Sequence, residues 1–234
     1  MNEPRSRYFE WRRVSPEMYR DYRLPPYVER RLPRDREALI VDFGCGHGQL
    51  LGALRKSGYR RLAGVDVDAS ALEACRKAGF EALDNRTPAA LQGLEGKARL
   101  FIASHVIEHF RKAQIIAALQ SLRRTLAPGG ELLVAVPNAQ SHTGAYWAYE
   151  DFTHEYLFTS GSLYYVLKAA GFGEVELIDI DCLEGLSAGK RLARQALLAL
   201  YRANYRFWSR ATASATHAPS PDVFSFEIKA LARN

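Results

Sequence analysis

Two carboxylates and three alternating glycines stand close together where an apolar run gives way to a helical pattern. They are Asp42, Gly44, Gly46 and Gly48 within residues 39–51, with Asp66 following in Gly64-Val-Asp-Val-Asp68. A strand that turns sharply into a helix needs residues that tolerate positive φ and a ligand lying against the backbone, and glycine does both. The dinucleotide fingerprint reads G-x-G-x-x-G and brings backbone N–H groups to a pyrophosphate. Here the glycines run G-x-G-x-G, and Gln49 holds the sixth position. Asp42, two residues before the first glycine, suits a cation rather than a phosphate. Asp66, at the end of a second strand and at the distance expected of a ribose-binding acid, can accept from both ribose hydroxyls.

Two further clusters carry groups able to handle an acceptor. Ser104, His105, Glu108 and His109 close the run 99–110, at the carboxyl edge where open parallel sheets bind ligands. Residues 146–158 bring Tyr146, Trp147 and Tyr149, suited to the apolar faces of sugar rings, and Asp151 and His154, able to hydrogen-bond hydroxyls. An imidazole with a pKa of about 6.5 can take the proton of a weakly nucleophilic hydroxyl at neutral pH. Among the three candidates His154 is favoured as base, because Asp151 three residues earlier can orient its ring or hold a second hydroxyl. His105 is the runner-up, and His109, entering a helix behind Glu108, reads as structural or as an acceptor contact. No metal ligand set is assigned.

The elements that must position these groups alternate. Strands are expected at 39–43, 62–65, 80–83, 99–103 and 131–136, with helices between them, clearest at 69–78 and 113–126, the latter stopped by Pro128-Gly129-Gly130. A helix at 160–170, a turn at 171–173, a strand at 175–180 and a last strand at 223–231 follow. Ahead of them, residues 1–37 hold ten arginines and the aromatics Tyr8, Phe9, Trp11, Tyr19, Tyr22 and Tyr27, a composition that packs rather than trails. Within this arm Ser15 and Pro16 open a short helix to Tyr22, which Leu24-Pro-Pro26 ends.

The acid and glycine pair resembles the first two signatures of class I S-adenosylmethionine-dependent methyltransferases. By that resemblance Asp42 sits near the methionyl ammonium, Gly44, Cys45, Gly46 and Gly48 admit the methionine part, and Asp66 with Val67 holds the ribose. Asp84 and Asn85 fall where the family places a polar side chain against the adenine, and Ser104 and His105 at the fourth-strand signature. The ligand is then a nucleoside with a sulfonium and no phosphate, leaving as S-adenosylhomocysteine. Residues 125–138, with Pro-Gly-Gly and a strand ending in Pro-Asn, resemble the family's next signature, and the matches cover most of residues 38–182. One departure is Ala98-Arg99, where the family usually has an Asp.

The resemblance implies a three-layer α/β domain over 38–234. Its sheet is Rossmann-like and seven-stranded, mostly parallel with an antiparallel last strand. The arm at 1–37 is then a lid over the cofactor, and a helical insertion lies at about 184–220. The Asp-x-Thr-His loop and the helix ending in Ala-Gly-Phe are similar to methyltransferases of bacterial surface polysaccharides, so a glycan or glycolipid acceptor, such as lipopolysaccharide O-antigen, is expected. The alternatives are a small lipid or quinone-precursor acceptor, and a catalytically silent cofactor-binding scaffold.

Composition agrees with one domain: 234 residues, of which 47% are hydrophobic. Three cysteines without a C-x-x-C pair suggest neither a disulfide framework nor a zinc site. With a polar start and no run of about 18 apolar residues, the cytoplasm is expected. A net charge of +6 comes without an RNA-binding signature, so no nucleic-acid partner is expected. Residues 190–208 form an amphipathic helix. Its Leu192, Leu197, Leu200 and Phe207 side is expected to dock on the domain. Its Arg194, Tyr201, Arg202, Tyr205, Arg206 and Trp208 side is then left for an anionic membrane surface, at the inner face of the cytoplasmic membrane, or for a charged glycan. A homodimer contact or a solvated face is the alternative.

Overall fold

The apolar runs lie side by side in one seven-stranded sheet of order β3-β2-β1-β4-β5-β7-β6. The computed structural model describes residues 8–19, 21–86, 89–214 and 222–234. The strands are β1 (Ile40–Phe43), β2 (Leu62–Asp66), β3 (Glu81–Asp84), β4 (Ala98–Ser104), β5 (Leu126–Pro137), β6 (Glu174–Ile178) and β7 (Glu227–Arg233). The first five pair in parallel, and β7 runs antiparallel to both β5 and β6. The expected sheet is therefore present, last strand included. Every residue of β1 is buried, as a central parallel strand covered on both faces must be.

The covering helices in chain order are α1 (Tyr8–Trp11), α2 (Pro26–Glu29), α3 (Gln49–Lys56), α4 (Ala69–Lys77), α5 (Ala89–Gln92), α6 (Ile115–Thr125), α7 (Gly144–Glu150), α8 (Ser160–Ala169) and α9 (Ala188–Ala211). Leu50, Leu51 and Leu54 of α3 and Leu72 and Cys75 of α4 pack on one sheet face with Tyr27 and Val28 of α2. Leu119 and Leu122 of α6 and Leu163 and Leu167 of α8 fill the other face. The chain leaves β1 toward β2 and β3, then returns to place β4 on the opposite side of β1. That reversal opens a crevice beyond the carboxyl ends of β1 and β4, where such sheets bind ligands.

Several local expectations are corrected. The helix expected from Ser15 to Tyr22 forms only as a 3₁₀ turn at Pro16–Tyr19, and the Pro25-Pro26 pair starts a helix instead of ending one. Pro26 occupies the first turn of α2, where its fixed φ and missing N–H cost nothing. The expected loop at 146–158 begins as a helix, α7. β5 starts at Leu126 and carries the Pro-Gly-Gly segment within it. The ladder with β4 absorbs the segment through a register shift between Ala98 and Leu100. Residues 223–226 precede the last strand rather than belong to it, held by the Asn138 side-chain amide donating to the Val223 and Ser225 carbonyls. Residues 1–7 of the arm and 215–221 of the insertion lie outside the described residues.

The largest correction concerns α9. Its Tyr201, Arg202 and Tyr205, not its leucines, face the domain, while Arg194, Arg206 and Trp208 of the same expected side are exposed. Tyr201 and Tyr205 pack on Phe224 with ring centroids 4.8 and 4.9 Å away, the Tyr201 hydroxyl accepts from the His142 N–H at 2.7 Å, and Arg202 pairs with Asp181. Leu192, Leu197, Leu200 and Phe207 are exposed, and Leu198 is the residue of the helix that is buried. The domain surface beneath α9 offers polar partners that hydroxyl and guanidinium groups can use and leucines cannot. No helix among the described residues is long and apolar enough to cross a membrane.

Candidate active site

The glycine loop leaves β1 at Phe43 and is pinned to β2, because the N–H groups of Gly44 and Cys45 both donate to the Val65 carbonyl. Gly44 has φ +76°, and a Cβ there would lie 2.3 Å from Cγ2 of Val106. Only glycine lets the exits of β1 and β4 approach this closely. Asp66 organises the next turn: Oδ2 accepts from Gly46 N at 2.9 Å, and Oδ1 accepts from Val67 N at 2.7 Å and Asp68 N at 2.9 Å. Asp68 in turn caps α4, accepting from the N–H groups of Ser70 and Ala71.

These elements enclose a cavity of about 490 Å³, within the usual ~300–1,000 Å³ of small-molecule sites. Gly44, Gly46 and Gln49 form one wall, Asp66, Val67 and Asn85 another, and His105, Val106, His109 and Thr153 a third. Tyr8, Phe9, Arg12 and Val14 of the arm close it. The arm is fastened across the mouth: the Tyr8 hydroxyl donates to Asp151 Oδ2 at 2.5 Å, Arg12 reaches Glu150, and the Phe9 ring lies 4.5 Å from that of His47. A side pocket of about 60 Å³ adjoins, lined by Asp42, Gly44, Gln49 and Ser104 under Tyr22 and Tyr27.

The charges are unusual at both ends. Asp42 is only 4% exposed, and burial, with Asp66 adding repulsion, pushes its carboxyl up to about 7. On the far side burial works against a charged His105, but Glu108 and Glu227 outweigh it and hold its imidazole up to about 9. Its Nε2 lies 3.1 Å from Glu227 Oε2, so at neutral pH His105 is a charged donor rather than a base. Burial lowers His109. Burial also opposes the charge of Asp151, but hydrogen bonds from Thr153 and Tyr8 prevail and hold it down to about 2. Backbone geometry marks the same spot: His105 sits at φ +55°, a region that non-glycine residues seldom occupy.

Several expected residues stand elsewhere. Asp151 does not orient His154; it binds Tyr8 and Thr153, and His154 Nδ1 instead faces the Trp147 carbonyl at 2.6 Å. His154 lies behind His109, their ring centroids 4.7 Å apart, and is not part of the cavity wall. The Cys45 side chain is buried under the loop, its Sγ 3.8 Å from that of Cys75, and a Cβ on Gly48 would also meet Cys75. Asp84 is turned to Arg86, leaving Asn85 as the one of the pair at the wall. Tyr146, Trp147 and Tyr149 sit on α7 outside the cavity, Tyr149 at 85% exposure. Gln49, Thr153 and Glu227 belong to the site and were not expected. Glu227 lies 122 positions from His105, so no local pattern links the two.

Residues 17–177 match a family model described as a methyltransferase domain. The chain belongs to that family. The matched region is a methyltransferase domain, and S-adenosylmethionine is the methyl donor that the sequence leads one to expect for it. Among its relatives a mouse (Mus musculus) tRNA (carboxymethyluridine(34)-5-O)-methyltransferase is 35% identical over 100 residues, 42% of this chain and 14% of that protein. A ribosomal protein L11 methyltransferase of Pseudoalteromonas atlantica is 31% identical over 109 residues, 42% of this chain and 33% of that protein. The chain thus spans a third or less of the length of these relatives. A SAM-dependent methyltransferase structure from Archaeoglobus fulgidus superposes with a TM-score of 0.65 at 18% identity, covering 97% of both chains, which establishes the shared fold.

The residues present suit this cofactor. The side pocket gathers acceptors, the Asp42 carboxyl and Gln49 Oε1, and the latter is buried without a hydrogen-bond partner among the described residues. Such a pocket favours an ammonium or sulfonium over a phosphate.

Proposed function

We propose that the enzyme methylates a hydroxyl oxygen on a sugar of a surface glycan or glycolipid, such as lipopolysaccharide O-antigen. The observation that carries this is the third wall of the cavity, where His105, His109 and Thr153 bring three hydrogen-bonding side chains to the space that the glycine loop also lines. Such a wall presents hydrogen-bond partners to an alcohol, and the exposed aromatics Tyr146 and Tyr149 offer ring faces outside it. In this reading S-adenosylmethionine supplies an electrophilic methyl group. Asp42 and Gln49 hold its amino-acid end, Asp66 its ribose and Asn85 its adenine. His105, held by Glu227, fixes the acceptor's angle, and the hydroxyl proton passes to solvent on the acceptor side as the methyl–oxygen bond forms and the sulfonium becomes a neutral thioether. The Tyr8–Asp151 bond closes the arm and excludes water. Most of the rate then comes from alignment, which can supply roughly 7–11 kcal/mol.

The outward side of α9 fits a lipid-borne acceptor. Leu197, Leu200 and Phe207 are exposed, and Arg206 and Arg210 are exposed beside them, the combination that settles at an anionic membrane interface. Sedimentation with anionic vesicles at low salt should carry the protein down, and Leu197→Glu should release it. A concentration-dependent dimer that ignores vesicles would assign this face to a second copy instead.

A nucleoside in RNA is the second reading, favoured by the tRNA-modifying relative and the net charge of +6. Methyl-labelled cofactor incubated with lipid-linked glycan extracts and, separately, with unmodified tRNA decides between them. Label in the glycan alone supports the proposal, and label in the tRNA alone overturns it.

A further inference from the structure

Beyond the pull it exerts on His105, methyl transfer as described has no use for Glu108. Its side chain is 0% exposed, and neither carboxylate oxygen has a hydrogen-bond partner among the described residues. His105 Nδ1 at 3.5 Å and His154 Nε2 at 4.0 Å approach Oε1 without hydrogen-bond geometry. A carboxylate buried in this way is costly, and an ion that it binds is one of the few arrangements that account for it.

Two imidazoles complete the surroundings. One ligand atom from each of Glu108, His109 and His154 can be chosen so that all three lie within 4.8 Å of one another. Both rings are braced from behind through Nδ1. His154 Nδ1 meets the Trp147 carbonyl at 2.6 Å, and His109 Nδ1 meets the Thr153 hydroxyl at 2.8 Å and carbonyl at 3.2 Å. The Thr153 hydroxyl spends its own proton on Asp151, so it accepts from His109. Both rings therefore carry their proton on Nδ1. Metal-bound histidines are held this way, one ring nitrogen donating to a carbonyl so that the tautomer and ring plane are fixed before the ion arrives.

We propose that Glu108, His109 and His154 form a binding site for one divalent transition-metal cation. Two imidazoles and one carboxylate suit Zn²⁺, Co²⁺, Mn²⁺ or Fe²⁺ rather than Ca²⁺ or Mg²⁺, which prefer all-oxygen sets. Donors about 2.1 Å from a tetrahedral ion lie about 3.4 Å apart, so side-chain rotation of little more than an ångström closes the set. Three protein ligands leave a position open. His109 is both a ligand and part of the cavity wall, so that position opens toward the cavity, where an acceptor hydroxyl could bind the ion. Only this last point rests on the methyl-transfer reading.

The test uses the full chain, stripped with EDTA and titrated calorimetrically with Zn²⁺, with visible d–d absorption recorded for Co²⁺. The expected result is one ion per chain and the absorption of a nitrogen- and oxygen-ligated cobalt. Glu108→Gln and His154→Gln should each weaken binding by at least the roughly 10–100-fold seen for lesser changes around metal sites. Calorimetric binding of S-adenosylmethionine shows that each variant is folded. If Glu108→Gln does not fold, His109→Gln takes its place. No binding by the stripped wild-type chain, or binding unchanged in the folded variants, overturns the site. A chain that binds the ion yet labels neither glycan nor tRNA would instead defeat the acceptor reading while leaving the site standing.

Discussion

If Asp42 holds the cofactor's amino-acid end as proposed, it makes cofactor affinity depend on pH in a calculable way. Its carboxyl is raised to about 7 by burial and by Asp66, so the free enzyme holds a proton there at pH 6, while a bound cation favours the ionised form. Binding must then release that proton. One unit below the pKa the penalty is a factor of about 11, or about 1.4 kcal/mol, and it vanishes above pH 8. Affinity should therefore rise roughly tenfold between pH 6 and 8, until the cofactor's own ammonium, an α-amino group of pKa about 8, begins to deprotonate. Calorimetry at pH 6 in buffers of different ionisation enthalpy should detect release of about 0.9 proton. Asp42→Asn should abolish both the release and the slope. The same group weakens the unliganded fold. Between the unfolded value of 3.8 and about 7 the folded chain keeps a proton that the unfolded chain has lost, so stability falls as pH rises through that window. The full loss is roughly 4 kcal/mol at most, and Asp42→Asn should raise the melting temperature of the cofactor-free protein at pH 8. Affinity that is flat from pH 6 to 7.5, with no buffer dependence, would refute the reasoning.

Three other outcomes follow from contacts described above. Tyr8→Phe removes the bond to Asp151 across the cavity mouth; at a half-exposed site this costs about 1 kcal/mol, and stopped-flow cofactor release should speed up roughly fivefold. Lys229, with a 2% exposed side chain, pairs with both Asp179 and Glu227. Among the described residues Lys229→Met leaves Asp179 with backbone donors alone and Glu227 with His105 alone, and should cost about 3 kcal/mol, seen as a melting temperature lower by roughly 6–12 °C. Gly44→Ala should lose cofactor binding in a titration, and adding Val106→Ala should restore only part of it, because the clash with Val106 is relieved while the φ of +76° remains.

What the sequence disclosed and what it hid divide along the distance over which a residue finds its partners. The β1 loop and Asp66 were legible because strand, glycine turn and acid follow one another within a single βαβ unit. The sheet was legible for the same reason, its strands announced by short apolar runs between helical patterns. The Glu227–His105 contact joins β7 to the exit of β4, and the Tyr8–Asp151 contact joins the arm to the end of α7; only the folded topology brings these together. Asp151 was matched to His154 because three residues separate them, yet the helical path of α7 put the Trp147 carbonyl at that ring instead. For α9 the helix was legible and its inner face was not, since Tyr201, Arg202 and Tyr205 turned inward and the leucines outward. An amphipathic pattern says that two faces differ, and the choice of inner face depends on what the domain beneath presents.

The left-handed backbone of His105 bears on how this enzyme would respond to artificial selection. At φ +55° an ordinary side chain costs roughly 1–2 kcal/mol relative to glycine, a cost that the charged pair of His105 with Glu227 offsets near neutral pH. Libraries screened for heat tolerance above about pH 9, where the imidazole gives up its charge, should therefore drift to glycine or asparagine at position 105, and the hardiest proteins recovered should be poor catalysts.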